Sequence, residues 1–169
     1  GRPGFWKDAD MEEYFVLFEN SFNAIKNLDE RFKVGGPAIC GVQDEKYMTM
    51  FMDFISQKGI KIDFITRHLY TSEVPDFKGH YGYIKLVELN ESLKTLNDSR
   101  RIIDSYPQYK GIKMHITEFN TSYIANAPIH DTNQNAAYTA SLLARLGDTS
   151  ESYSYWTFGD IFEEIGVPY

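Results

Sequence analysis

Glu118, His68, Tyr70 and Trp156 are the residues of this 169-residue sequence best placed for chemistry. They stand at the carboxyl ends of predicted strands, where parallel α/β proteins carry their sites. Asn120 lies just past Glu118, and Asp160, Glu163 and Glu164 follow Trp156 in a loop. The set is polar, acidic and aromatic, with no cationic cluster to hold a phosphate. It suits a neutral, hydroxylated ligand: carboxylates accept hydroxyl hydrogen bonds and aromatic faces stack on a sugar ring. A carboxylate on a mostly apolar strand costs free energy unless it is hydrogen-bonded or functional. Alternation puts Met114, Ile116 and Glu118 on one face, and Phe64, Thr66, His68 and Tyr70 on one face of their own strand. Each residue also has a plainer reading. Glu118 could be a strand-end Glu reaching solvent, His68 a satisfied structural histidine, Trp156 a core residue and Glu163-Glu164 a solvated pair. Cys40 reads as a small apolar side chain.

These positions depend on a pattern that alternates helix and strand four times. Met11, Phe15, Phe18, Phe22 and Ile25 recur three or four apart and predict a helix over 10–28, with Asp10 and Glu13 as a capping box. Lys33-Val34-Gly35-Gly36-Pro37-Ala38 predicts a short strand that should stop at Gly-Gly-Pro, because proline cannot donate to a ladder. A second helix fits 44–57, closed by Lys58-Gly59. A strand over 62–68 follows, then a loop with Pro75 and Gly79, then a helix over 83–105 with Leu86, Leu89, Leu93, Leu96 and Ile103 in register. Residues 113–119 predict a third strand, 123–131 a loop, 133–146 a helix and 152–158 a fourth strand. The segment 159–169 shows no element of its own. This order implies a parallel sheet with helical crossovers. Either a doubly wound sheet or part of a (β/α)₈ barrel fits.

Composition narrows the function. Lys+Arg minus Asp+Glu is 17 − 24 = −7, which argues against a nucleic-acid partner. No apolar run reaches the roughly 20 residues of a membrane span. No signal peptide is visible, so a cytoplasmic location is expected and the three Asn-x-Ser/Thr sequons at Asn90, Asn97 and Asn120 carry little weight. The single cysteine excludes an internal disulfide framework. The four histidines lack the spacing of a helical zinc site, so no metal is expected. No Gly-x-Gly-x-x-Gly follows a strand, and no P-loop, Gly-x-Ser-x-Gly or His-Glu-x-x-His occurs, so no cofactor is expected either.

Four segments, in order, resemble family 39 of the glycoside hydrolases, the β-xylosidases. They are Lys33-Val34-Gly35-Gly36-Pro37-Ala38, Phe64-Ile65-Thr66-Arg67-His68-Leu69-Tyr70, Ile116-Thr117-Glu118-Phe119-Asn120-Thr121-Ser122-Tyr123, and Tyr155-Trp156-Thr157-Phe158-Gly159-Asp160-Ile161-Phe162-Glu163-Glu164. The resemblance implies a retaining enzyme on a TIM barrel that removes xylose from β-xylosides through a covalent glycosyl-enzyme, with two carboxyl groups about 5 Å apart. It makes Glu118 the catalytic nucleophile, at the end of the seventh barrel strand. It places His68 and Tyr70 at the end of the sixth, near the sugar and the nucleophile. Tyr123 and Trp156 would shape the glycone pocket, and Glu163 and Glu164 would hold sugar hydroxyls. A xylose-containing oligosaccharide is the implied ligand.

The family's acid/base is the Glu of an Asn-Glu-Pro motif, which occurs nowhere in this chain. Gly1-Arg2-Pro3-Gly4-Phe5-Trp6 resembles the end of that motif and the segment after it. Asn90-Glu91-Ser92 falls inside a predicted helix. A barrel of this type needs roughly 200 to 400 residues. Residues 1–169 are therefore expected to be the C-terminal half of the catalytic barrel, strands five to eight, inactive alone on ordinary xylosides. Open sheet edges predict self-association. A non-catalytic carbohydrate-binding half barrel is the alternative. An iduronidase-like specificity would need a cation for the substrate carboxylate, and Arg67, the one cation at the strand ends, is expected on the face opposite His68.

Overall fold

The computed structural model describes residues 10–41 and 44–157. The first helix, α1 (Met11–Leu28), starts where Asp10 accepts a hydrogen bond from the Glu12 N–H at 2.8 Å. Its Phe15, Phe18 and Phe22 are buried, while Ile25 turns outward at the edge of the stripe. The strands β1 (Gly35–Ile39), β2 (Phe64–Tyr70), β5 (Met114–Asn120) and β6 (Ser152–Tyr155) form one parallel sheet in the order β1-β2-β5-β6. The crossovers are α2 (Asp44–Lys58), α3 (Leu89–Asp104) and α4 (Asn133–Leu146). Each parallel strand is added beside the one before it, with no reversal of direction across the sheet. A doubly wound sheet needs such a reversal, so the described strands take the singly wound arrangement.

The core lies between the sheet and its helices. Met48, Phe51, Met52 and Ile55 of α2 are fully buried, as are Ile65 of β2 and Ile116 of β5. Burying each such side chain stabilises the fold by about 1.5–3 kcal/mol. Phe15 of α1 stacks on Phe54 of α2 with centroids 4.5 Å apart, and Phe18 meets Phe51 edge-on at 5.0 Å. The helix-stripe phenylalanines are thus core residues. Gly59 closes α2 at φ 64°, a conformation that favours glycine.

Four expectations are corrected. The first strand runs through Pro37 to Ile39 instead of stopping at Gly-Gly-Pro. It survives because the ladder with β2 shifts between Pro37 and Ile39, and because the Thr66 hydroxyl accepts the Ala38 N–H at 2.9 Å. The loop after β2 contains a hairpin, β3 (Asp76–Lys78) with β4 (Tyr81–Tyr83). The third helix begins at Leu89, not at residue 83. The stretch before it returns to the end of β2: Leu86 forms an antiparallel bridge with Ser72, and the Val87 N–H donates to the Thr71 carbonyl at 2.8 Å. The fourth strand is shorter than expected, ending at Tyr155. The segment 159–169 lies outside the described residues.

At the amino end of the sheet, Asp63 anchors three segments. Its Oδ2 lies 2.7 Å from Lys26 Nζ and accepts the Val34 N–H at 2.8 Å, and its Oδ1 accepts from Lys33 Nζ at 3.1 Å. Burial pushes this carboxyl up, but the hydrogen bonds from Lys26, Val34 and Lys33 outweigh burial and hold it below the ordinary carboxylate value. No helix among the described residues is long and apolar enough to cross a membrane.

Candidate active site

The carboxyl ends of β2 and β5 meet through a break in their ladder. Arg67 pairs with Ile116, but the next residue, His68, pairs with Glu118, so Thr117 is an extra residue on β5. The β6 side shows the same slip, with Ile116 opposite Tyr153 and Phe119 opposite Tyr155. Such a β-bulge reverses the alternation beyond it. Met114, Ile116 and Phe119 are buried in the core with the helices, whereas Glu118 turns to the opposite face and meets His68 and Tyr70. The expected grouping of Glu118 with Met114 and Ile116 is therefore wrong, and the bulge is the physical reason.

The Tyr70 hydroxyl donates to Glu118 Oε2 at 2.7 Å, and His68 Nδ1 lies 3.1 Å from the same oxygen. Among the described residues both contacts of Glu118 fall on Oε2, which leaves the lone pairs of Oε1 to offer elsewhere. The carboxylate is half-buried, with 27% of its side chain exposed, and His68 is more enclosed at 18%. Glu118 is thus neither a core residue nor a freely solvated one. The Tyr123 ring stands edge-on to Tyr70 with centroids 5.7 Å apart and is partly exposed. His68, Tyr70, Glu118 and Tyr123 therefore form one chain of contacts.

Trp156 joins from just past the end of β6. Its N–H donates to the Phe119 carbonyl at 3.0 Å, and its carbonyl accepts from Asn120 Nδ2 at 2.7 Å. The indole is 40% exposed, so it is not a core tryptophan. The Trp156–Thr157 peptide is cis. Glu163 and Glu164 lie outside the described residues, as does Asp160. Cys40 is half-buried just after β1. Among the described residues no cluster of three or more His, Cys, Asp or Glu side chains could hold a metal ion.

Arg67, next to His68 in sequence, points the other way. It is 2% exposed, its Nε donates to the His68 carbonyl at 3.1 Å, and its Nη1 donates to the Thr95 carbonyl of α3 at 2.9 Å and to the Ser99 hydroxyl. A guanidinium buried against α3 is not offered to a substrate carboxylate, which removes the one cation that an iduronidase-like reading had. The β3–β4 hairpin packs over the loop that carries Tyr123. Gly82 sits so close to Ile124 that a Cβ there would approach Ile124 Cγ2 to 2.9 Å, and the Gly82 N–H donates to the Asn126 carbonyl at 3.3 Å. Sequence reasoning missed this hairpin and the buried amide of Asn120. The position of Asn120 two residues beyond Glu118, on the same strand, was the available signal.

A carboxylate held by a phenol and an imidazole, at the carboxyl ends of parallel strands and beside exposed aromatic rings, is equipped to attack or orient a polyhydroxylated substrate. Residues 2–169 match the model of glycosyl hydrolases family 39. A β-xylosidase from Geobacillus stearothermophilus is 44% identical over 167 residues, which is 97% of this chain and 33% of that protein. One from Caldicellulosiruptor saccharolyticus is 33% identical, over 96% of this chain and 32% of its own length. The crystal structure of a monomeric β-xylosidase from Caulobacter crescentus CB15 superposes with a TM-score of 0.85 at 32% identity, covering 99% of this chain and 34% of that one. The chain spans about a third of the length of the relatives it matches. With a family match over nearly its whole length, this chain belongs to glycosyl hydrolase family 39.

Proposed function

We propose that this chain carries the nucleophile of a retaining β-xylosidase site. The observation that carries this reading is Glu118: a bulge turns it away from the core, and Tyr70 and His68 both engage one of its two oxygens. Oε1 attacks the anomeric carbon of a β-xyloside. The bond from that carbon to Glu118 forms as the bond to the aglycone oxygen breaks, and water then hydrolyses the glycosyl-enzyme. Tyr70 and His68 keep Oε2 in place while negative charge leaves the carboxylate. Tyr123 and Trp156 form walls for the sugar ring, and Glu163 and Glu164 accept hydrogen bonds from its hydroxyls. The ligand is a xylose-containing oligosaccharide.

The singly wound order of the four parallel strands supports reading residues 1–169 as strands five to eight of a (β/α)₈ barrel. No Asn-Glu-Pro is present among these residues, so they contain one carboxyl of the catalytic pair. A leaving group that needs protonation then stays put, while one that departs as a stable anion does not. The test is a pair of substrates. The 169-residue chain releases dinitrophenolate from dinitrophenyl β-xyloside and leaves xylobiose intact, and Glu118→Gln abolishes the release. Hydrolysis of xylobiose would contradict the incomplete-pair reading. Xylose binding without any dinitrophenolate release would favour a non-catalytic carbohydrate-binding module.

Among the described residues β1 and β6 each have a sheet neighbour on one side only, and unpaired edges invite another chain. We propose self-association through these edges, giving a sedimentation coefficient that rises with concentration. A compact monomer at every concentration would oppose it.

A further inference from the structure

The reading above leaves the aim of the Trp156 indole to be explained. Asn120 is buried at 3% exposure, and both ends of its amide are used. Nδ2 donates to the Trp156 carbonyl at 2.7 Å, and Oδ1 accepts the Thr121 N–H at 2.7 Å. The Tyr155 hydroxyl lies 3.4 Å from the same Oδ1. This arrangement fixes the amide's orientation on chemical grounds, since a carbonyl can only accept and an N–H can only donate. The neighbouring Thr121 hydroxyl donates to Asn135 Oδ1 at 2.8 Å, and Asn135 Nδ2 donates to the His130 carbonyl at 3.1 Å. The polar seam thus continues into the first turn of α4. It also makes Asn120 an unsuitable glycan acceptor in this fold, despite its sequon.

The geometry points to Asn120 as a positioning residue for the sugar-binding face of Trp156. Phe119 holds the Trp156 N–H and Asn120 holds its carbonyl, so two consecutive residues of β5 clamp both main-chain polar groups of Trp156. The clamp sets the direction of the Trp156 Cα–Cβ bond and ties the indole to the strand that carries Glu118. The nucleophile and the aromatic wall are thereby held in one frame. An amide is required, because the position needs a donor toward the carbonyl and an acceptor toward the Thr121 N–H. Aspartate keeps the acceptor and size but sets a carboxylate oxygen against a carbonyl oxygen. The inference rests on Trp156 being a wall of the sugar site.

The test is a double-mutant cycle on the 169-residue chain, read as methyl β-xyloside affinity by calorimetry. Asn120→Asp weakens binding about tenfold, the size expected when one buried hydrogen bond is lost. Trp156→Ala weakens it at least as much, and the double variant binds no more weakly than Trp156→Ala alone. A purely structural role would instead lower the melting temperature and multiply the two losses, which overturns the proposal. Normal binding by Asn120→Asp together with weakened binding by Trp156→Ala also overturns it, but leaves Trp156 as a sugar wall. Normal binding by Trp156→Ala removes that wall and the proposal with it. A second measurement needs no ligand. In a Trp6→Phe background Trp156 is the only indole, and Asn120→Asp changes its acrylamide quenching; unchanged quenching contradicts the clamp. If Asn120→Asp does not fold, Asn120→Ala removes the amide donor without adding charge and serves both measurements.

Discussion

Two carboxylates at opposite ends of the same sheet are held in different ways. Asp63, before β2 at the amino end, has both oxygens occupied, by Lys26, Lys33 and the Val34 N–H. Glu118, at the carboxyl end of β5, has both its contacts among the described residues on one oxygen, from a phenol and an imidazole. A carboxylate saturated by fixed cations and a backbone donor can do little besides pin segments together. One held at a single oxygen by a phenol and an imidazole keeps the lone pairs of its other oxygen for attack. The same parallel strands thus have an amino end fastened by ion pairs and a carboxyl end, where parallel α/β folds place their sites, whose carboxylate keeps one oxygen available.

The largest expected effect comes from exchanging roles. Glu118→Gln should lower dinitrophenolate release by at least about a thousandfold, as loss of a nucleophile does in other enzymes, while the melting temperature stays close to wild type. Asp63→Asn should leave the release rate per folded chain unchanged. Equal losses in the two variants would erase the distinction between the ends. Tyr70→Phe comes next. It removes the donor at 2.7 Å from Glu118 Oε2, and a hydrogen bond to a charged group is worth about 1.5–3 kcal/mol, so the rate should fall about ten- to a hundredfold. A rate within twofold of wild type would show that the phenol does not hold the carboxylate.

The smallest effect is on stability and has a pH signature. Asp63→Asn should cost about 2 kcal/mol in urea unfolding at neutral pH. The folded-state pKa of Asp63 is depressed, so its contribution is fully present above the unfolded value of about 4 and is lost as pH falls through the folded value. The gap between wild type and Asp63→Asn should therefore close on acidification. A gap that stays constant down to strong acid would mean that the ion pairs with Lys26 and Lys33 do not stabilise the fold.

Much of this was legible from residue spacing, and the exceptions share a cause. The helix over 133–146 appears with those bounds because its pattern is regular and Thr132 caps it, accepting the Asn135 N–H at 3.2 Å. The strands bearing His68 and Glu118 are also readable from their β-branched and apolar runs, although the strand expected over 62–68 runs from Phe64 to Tyr70. The face of Glu118 was not, because alternation assumes an unbroken ladder and the extra residue at Thr117 has no sequence signature. The helix expected from residue 83 failed for a related reason. Leu86 sits at helical spacing from Leu89 and Leu93, yet a long-range bridge to Ser72 claims it. In each case a tertiary contact overrode a local period. Arg67 lies on the expected face because the extra residue at this register shift belongs to β5 and the alternation of β2 itself is unbroken.

The proposal that Glu118 is the nucleophile is tested most directly by covalent capture. The 169-residue chain is incubated with the dinitrophenyl glycoside of a 2-deoxy-fluoro-xylose, whose leaving group needs no proton and whose fluorine slows release of the glycosyl-enzyme. Intact-mass and peptide mass spectrometry then locate the sugar. The expected result is one fluoroxylosyl group on the peptide that contains Glu118, absent in Glu118→Gln. No adduct, or an adduct on any other residue, would contradict it.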